Sequence, residues 1–205
     1  MSMVSWEKPS KALTKIIEDY NVNGFESPGG TDKNTIHNYT GIYEHILSPY
    51  VKQEGQLLEI GVQHGGSSLL WQKYLPKFTI CMVDIADIVN PRIWDLMDQN
   101  KNDYAFYENN AYSTSFVKQL AEEWGDFDVI IDDGPHTLQS QLFAVEHYLP
   151  LLAKGGVFAI EDIQDIRHVT ELRNAVPDDL KDNVKVYDVR NTKGRYDDVI
   201  FTVTR

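Results

Sequence analysis

The chain has one cysteine in 205 residues, so no internal disulfide holds the fold together, and Cys81, set in the apolar run ICMVDI, reads as a buried thiol. Basic residues are also scarce: 19 Lys and Arg against 31 Asp and Glu, a formal charge of −12. A surface so acidic repels phosphate backbones, and no Lys/Arg run offers a local footprint, which argues against nucleic acid as a partner. No apolar stretch approaches the roughly 20 residues that span a bilayer, so no membrane partner is expected. The start, MSMVSWEKPSK, has no signal-peptide apolar core, and the expectation is a cytoplasmic protein. Repeats, low-complexity tracts and linkers are missing as well, which leaves one domain over residues 1–205. Assembly into a homo-oligomer stays open.

What is present divides at about residue 50. Residues 1–50 read as a helical cap. Ser10 caps a helix running to about Tyr20, with Leu13, Ile16 and Ile17 at helical spacing. The polar, glycine-rich loop NGFESPGGTDKNT follows. A second helix is predicted over Ile36–Leu47, with Tyr39, Ile42, Tyr43 and Ile46 on one face. The core, 56–205, alternates short apolar runs with longer amphipathic ones. The strands are QLLEI, FTICMVDI, YAFYE, DVIID, GVFAI, VKVYDV and VIFTVT. Helices are predicted at Ser67–Tyr74, Arg92–Gln99, Ser113–Trp124, Leu138–Leu152 and Ile166–Asn174. This alternation predicts a doubly wound α/β fold with a mostly parallel seven-stranded sheet covered on both faces. The last two strands are joined by RNTKGRYDD, with no room for a helix, and predict a C-terminal antiparallel hairpin.

Open α/β sheets bind ligands at the carboxyl ends of their strands, near the switch in strand order. The first core strand ends in LLEIGVQHGGSS, an E-x-G-x-x-x-G-G pattern that differs from the G-x-G-x-x-G of dinucleotide enzymes. A dinucleotide site aims backbone N–H groups at a pyrophosphate. The Glu59 carboxylate would repel pyrophosphate and suits a cationic ligand such as S-adenosylmethionine (SAM), which carries an ammonium and a sulfonium. Gly61 permits close backbone approach, Gly65 permits the turn into the helix, and Ser67 opens that helix beside the ligand. The second strand ends at Asp84, where an acid accepts from both ribose hydroxyls. The third ends at Asn109 and Asn110, and Asn110 is placed at the adenine edge, where an amide both donates and accepts. Singly these are also ordinary cap and turn residues; at three successive strand ends they point together to SAM.

The fourth and fifth strands end in FDVIIDDGPH and GGVFAIEDIQ. Asp132, Asp133, His136, Glu161 and Asp162 therefore gather at strand ends. Four carboxylates so close repel one another unless a cation sits among them, and oxygen donors favour a hard ion such as Mg²⁺, Mn²⁺ or Ca²⁺.

The segments EIGVQHGGSSLLW, MVDIAD and FDVIIDDGPHTLQSQLFAVEHYLPLLAKGGVFAIEDI resemble the class I SAM-dependent methyltransferases of the macrolide-sugar O-methyltransferase family (demethylmacrocin and mycinamicin type) and their cephalosporin-hydroxylase-like relatives. The resemblance covers about Leu57–Ile163. It implies the Rossmann-like sheet of that class, Asp133, Glu161 and Asp162 as ligands of a Mg²⁺ ion, His136 as general base beside Asp133, and Asp132 nearer the cofactor. Pro135 stands where the family often has Ser. The segment GTDKNTIHNYTGIYEHI is similar to those preceding such domains, which implies that Lys33, His37 and Tyr39 close over the SAM site.

The combined expectation is a metal-dependent O-methyltransferase acting on a small-molecule acceptor, a sugar or other vicinal diol whose two oxygens chelate one metal. The polar loops Gly24–Thr35 and Asn191–Asp198 are expected to roof that acceptor. Two alternatives stand: hydroxylase-like chemistry on the same fold, and a non-catalytic SAM- or nucleotide-binding module.

Overall fold

The computed structural model describes residues 2–4, 6, 8–24 and 27–205. In chain order the elements are β1 (Ser2–Val4), α1 (Lys11–Asp19), α2 (Thr40–Leu47), β2 (Gly55–Ile60), α3 (Gly66–Tyr74), β3 (Phe78–Asp84), α4 (Pro91–Asp98), β4 (Tyr104–Glu108), α5 (Thr114–Trp124), β5 (Phe127–Asp132), α6 (Leu138–His147), β6 (Leu152–Ile160), α7 (His168–Ala175), β7 (Val184–Asp188), α8 (Arg190–Lys193) and β8 (Val199–Thr204).

The strands form one sheet in the order β1-β7-β8-β6-β5-β2-β3-β4. From β2 the chain first builds outward through β3 and β4, then crosses back to lay β5 on the other side of β2. The β2/β5 boundary is therefore the switch point, and ligands in doubly wound sheets bind at the carboxyl ends there. β8 inserts between β6 and β7 and runs antiparallel to both. The seven predicted strands are all present. An eighth, β1, adds in parallel to β7 at the edge.

Alternation along the strands sends side chains to two cores. Leu57, Val129, Ile131 and Ala159 pack beneath α1 to α4, against Leu13, Tyr43, Leu69 and Ile93. Leu58, Ile60, Ile130 and Phe158 face the other way, against Phe116, Leu120, Ala144 and Leu172. Among the described residues no helix is long and apolar enough to cross a membrane.

Some boundaries differ from the sequence expectation. Ser10 caps α1 through Leu13 N as expected. The second helix starts at Thr40 rather than Ile36, because Asp32 O takes the N–H groups of both Ile36 and His37 in a separate turn. α6 stops at His147, and a 3₁₀ turn over Leu149–Leu151 with Pro150 replaces its predicted last turn. The loop before β8 does hold a helix, the single turn α8, closed by Gly194 in a left-handed conformation.

Candidate active site

A cleft of about 430 Å³ opens over the carboxyl ends of β2, β3 and β4 and runs to the loop after β5, within the usual size for a small-molecule site. Its floor is the β2–α3 loop. Gly61 sits there at φ +86°, with its Cα so close to the β5–α6 loop that a Cβ would stand 2.0 Å from Asp133 O. Gly65, also at φ +86°, turns the chain into α3. Asp84 braces this loop: Oδ2 accepts from Val62 N and Gln63 N, both at 2.8 Å, and Oδ1 from Ile85 N at 2.7 Å. Beside it Ile85 leaves 71% of its surface exposed, an apolar wall at the mouth of the cleft. Asn109 and Asn110 line the next strand end, and Asn110 Oδ1 accepts from Tyr112 N at 3.0 Å.

The far end of the cleft is charged. Asp133 and His136 line it. Asp133 Oδ1 lies 3.0 Å from His136 Nε2, and Asp162 Oδ2 lies 3.8 Å from His136 Nδ1. The backbones of His136 (φ 56°) and Asp162 (φ 54°) are both left-handed. His and Asp tolerate that region better than most residues, yet it still costs on the order of 1–3 kcal/mol, and such strain gathers at functional sites. Asp133, His136 and Asp162 each offer an atom within 4.8 Å of the others. Hard carboxylate oxygens gathered at the edge of an open cleft fit a divalent cation, with the imidazole close beside them.

Behind this group stands the segment that precedes α2. Lys33, 1% exposed, donates from Nζ to Asp133 Oδ2 at 2.8 Å and to Glu161 Oε2 at 3.0 Å. Tyr43 donates its hydroxyl to Glu161 Oε1. Tyr39 donates to Asp162 Oδ1 at 2.6 Å. His37 pairs through Nδ1 with Asp198 Oδ1 at 2.6 Å. His37, Asp197 and Asp198 make a second close group, buried and joined by the Arg195 guanidinium at 2.9 Å from Asp197.

Negative charge exceeds positive charge here, and the protonation equilibria show it. Burial and the Asp133 charge push the Glu161 and Asp162 carboxyls up, against the pull of Lys33 and His37 respectively. Burial pulls Lys33 down, but Asp133 and Glu161 outweigh it and hold the ammonium charged. Burial likewise opposes the charged form of His136, yet the hydrogen bond to Asp133 and the surrounding carboxylates raise it to about 9.

The sequence-predicted residues divide in two. Gly61, Ser67, Asp84, Asn110, Asp133 and His136 line one cleft. Glu59 does not: it is fully buried and its carboxylate accepts from Ser68 Oγ and, at 2.8 Å, from Trp71 Nε1 of α3. The strand ladder decides this, since Glu59 shares the parity of Leu57 and points under the helices. Gly65 does not line the cleft; a Cβ there would meet Val89 and Ile93. Asp132 is buried and does not line the cleft, its Oδ1 accepting from the cleft-lining Tyr112 hydroxyl at 2.5 Å; its Oδ2 has no hydrogen-bond partner among the described residues, and burial raises it to about 7. Glu161 turns to Lys33 and Tyr43. Lys33, His37 and Tyr39 reach the carboxylates rather than closing over the cleft, where Gly30, Thr31 and Asp32 of the same segment stand instead. Of the expected roof loops, Phe25 and Glu26 lie outside the described residues. The rest of the two loops meet where Lys193 Nζ donates to Asn34 O and, at 2.8 Å, to Thr35 O.

Residues 58–163 match the family model described as "Methyltransferase domain", just over half of the chain. The chain is 28% identical over 165 residues to the 8-demethyl-8-alpha-L-rhamnosyl tetracenomycin-C 2'-O-methyltransferase of Streptomyces olivaceus, covering 76% of this chain and 40% of that protein. It is 30% identical over 139 residues to the mycinamicin VI 2''-O-methyltransferase of Micromonospora griseorubida, covering 62% and 32%. The chain thus spans well under half the length of these curated relatives. In fold it is similar to the MycE methyltransferase of the mycinamycin biosynthetic pathway, solved in complex with Mg, SAH and mycinamycin VI, with a TM-score of 0.68 at 18% identity over 97% of this chain and 54% of that one. A doubly wound sheet with an antiparallel last strand, an open cleft at its switch point and a family match spanning β2 to the end of β6 lead to one conclusion: the chain belongs to the methyltransferase domain family.

Proposed function

We propose that this protein is a SAM-dependent O-methyltransferase that uses a divalent cation and acts on a hydroxyl of a small molecule, a sugar or other vicinal diol. The observation that carries this reading is continuity. Asp84 and the Asp133–His136 pair line one cleft, so a cofactor and an acceptor bound there share one space. The relatives support the acceptor class, since those named above are sugar or macrolide O-methyltransferases by name.

Bound SAM would supply the methyl group, and a bound divalent cation would stabilise negative charge on the acceptor oxygen. The chain's own residues do the rest. Asp84 offers its carboxylate to the ribose, and Ile85 lies beside it as an apolar face for the adenine. Asn110, whose Oδ1 is already committed to Tyr112 N, keeps its amide NH₂ for the base. Asp133 and Asp162 would hold the cation, and their two charges match it.

His136 is the proton acceptor. With its Nε2–H donated to Asp133 Oδ1, Nδ1 carries the free lone pair, since its 3.8 Å separation from Asp162 Oδ2 is too long for a hydrogen bond. An imidazole at a pKa of about 9 is protonated at neutral pH. Neutralising Asp133 and Asp162 removes part of what holds it there, so the base becomes available when the site is charge-balanced. Holding cofactor and acceptor in one cleft supplies the orientation that a displacement in line requires.

Calorimetry with SAM and with NAD⁺ tests the cofactor assignment. SAM is expected to bind and NAD⁺ to give no heat. Binding of NAD⁺ in place of SAM would overturn the reading.

A further inference from the structure

With Glu59 buried under α3, the carboxylate that the sequence offers to a cationic cofactor is out of reach, and the cleft supplies another. Three acids line it: Asp32, Asp84 and Asp133. Asp84 braces the β2–α3 loop at the end of β3. Asp133 meets Lys33 Nζ with one oxygen and His136 Nε2 with the other. Asp32 is less committed. Its Oδ2 lies 3.5 Å from His37 Nε2, and its side chain is 26% exposed. Burial favours its neutral form, but His37 and Lys33 outweigh that and hold the carboxyl well below the usual carboxylate range. It is an anion at neutral pH.

The strand order says which part of the cofactor Asp32 meets. β3 and β4 lie on one side of β2, and β5 on the other. With the ribose on Asp84 and the base toward Asn110, the sulfur-bearing arm runs back over the β2 loop and the start of α3. The segment carrying Asp32 is packed on that spot. A Cβ on Gly66 would stand 2.5 Å from Gly29 O and 2.7 Å from Thr31 N, and Gly30 and Thr31 line the cleft with Gly61 and Ser67. The segment is also firmly seated. Thr31 N donates to Val22 O at 2.8 Å, and Asp32 O accepts from Ile36 N and His37 N, both at 3.0 Å.

We infer that Asp32 binds the α-ammonium at the amino-acid end of the cofactor, a subsite supplied by the segment before α2 rather than by the sheet. This rests on the SAM reading above and deepens it. An ammonium leaving water for a cleft needs a counter-charge, and a carboxylate accepting from it makes one of the stronger hydrogen bonds. The same anion repels a phosphate attached at the ribose 5′ position. It therefore provides the rejection of dinucleotides that the sequence pattern alone assigns to Glu59.

Calorimetry with three probes tests this: S-adenosylhomocysteine, its analogue with the amino group replaced by hydrogen, and 5′-methylthioadenosine, which has no amino-acid end. Their sulfur is neutral, so the ammonium of the first is the cation at issue. Wild type is expected to bind S-adenosylhomocysteine at least about tenfold more tightly than the desamino analogue, the size of a charge-assisted hydrogen bond. Asp32→Asn should lose at least about tenfold for S-adenosylhomocysteine and stay within about threefold for 5′-methylthioadenosine. An unchanged S-adenosylhomocysteine affinity would overturn the inference. So would an equal loss for both ligands, which marks a structural role. The wild-type comparison needs no variant, and equal affinity for S-adenosylhomocysteine and its desamino analogue would also overturn it. In that case the SAM reading still stands, whereas wild type that binds none of the three probes loses both.

Discussion

Replacing Gly61 by alanine tests how the sheet end is built. Gly61 and Gly155 have nearly the same φ, +86° and +83°, but different surroundings. A Cβ on Gly61 would stand 2.0 Å from Asp133 O and 2.5 Å from its carbonyl carbon, while one on Gly155 meets nothing within 4 Å. Gly155→Ala therefore pays only for a left-handed L-residue, about 1–2 kcal/mol. Gly61→Ala carries that cost plus forced displacement of backbone, about 1–3 kcal/mol for overpacking. The displaced backbone cannot yield cheaply: Asp133 N donates to Ile60 O at 2.8 Å and Gly61 N to Val83 O at 2.9 Å, so three strand ends move together. At about 2–4 °C per kcal/mol for a domain of this size, Gly155→Ala should lower Tm by about 2–8 °C and Gly61→Ala by about 4–20 °C. Calorimetric melts of the two variants measure the difference directly. Equal Tm values would refute the claim that the β2 loop and the Asp133 loop are locked in contact.

Other outcomes follow from the same geometry. Glu59→Ala should cost about 3 kcal/mol in a denaturant titration, because it leaves the buried Ser68 and Trp71 donors unpaired; SAM affinity should change less than about threefold, and a large loss of SAM binding with stability intact would return Glu59 to the cofactor site. Asp84→Ala should weaken SAM by at least about tenfold in calorimetry, since a charge-assisted hydrogen bond is worth about 1.5–3 kcal/mol, and unchanged affinity would remove its ribose role. His136→Ala should lower turnover by at least about a hundredfold, the usual contribution of a positioned base, while SAM affinity holds; residual full turnover would assign the proton to another group.

Much of this was legible from residue order. Strand–helix alternation from Gln56 onward carries its own period, and a βα unit places its functional residues at the strand's carboxyl end whatever the family. This is why residue order alone points to Gly61, Asp84, Asn110, Asp133 and His136, all of which line the cleft. Glu59 shows where that rule runs out: position along a strand says which end a residue occupies, and parity says which face. Counting from Leu57 puts Glu59 under α3, where Ser68 and Trp71 can satisfy it. Glu161 has the same parity as Ala159, on the side where α2 brings Tyr43. The short β1 carries too few residues for a periodic signal. The motif around Lys33 singles it out, but its destination depends on a contact 100 residues away in sequence, which no local pattern encodes.

In the proposed function one cleft joins a SAM site to an ion-bound acceptor site. The most direct test is S-adenosylhomocysteine formation from SAM and a panel of glycosides and diols, using protein stripped of metal by chelator and then resupplied with Mg²⁺ or Mn²⁺. The expected result is turnover on at least one vicinal diol, lost on stripping and restored by the ion. Full turnover in excess chelator, with the metal shown to be gone, would contradict it.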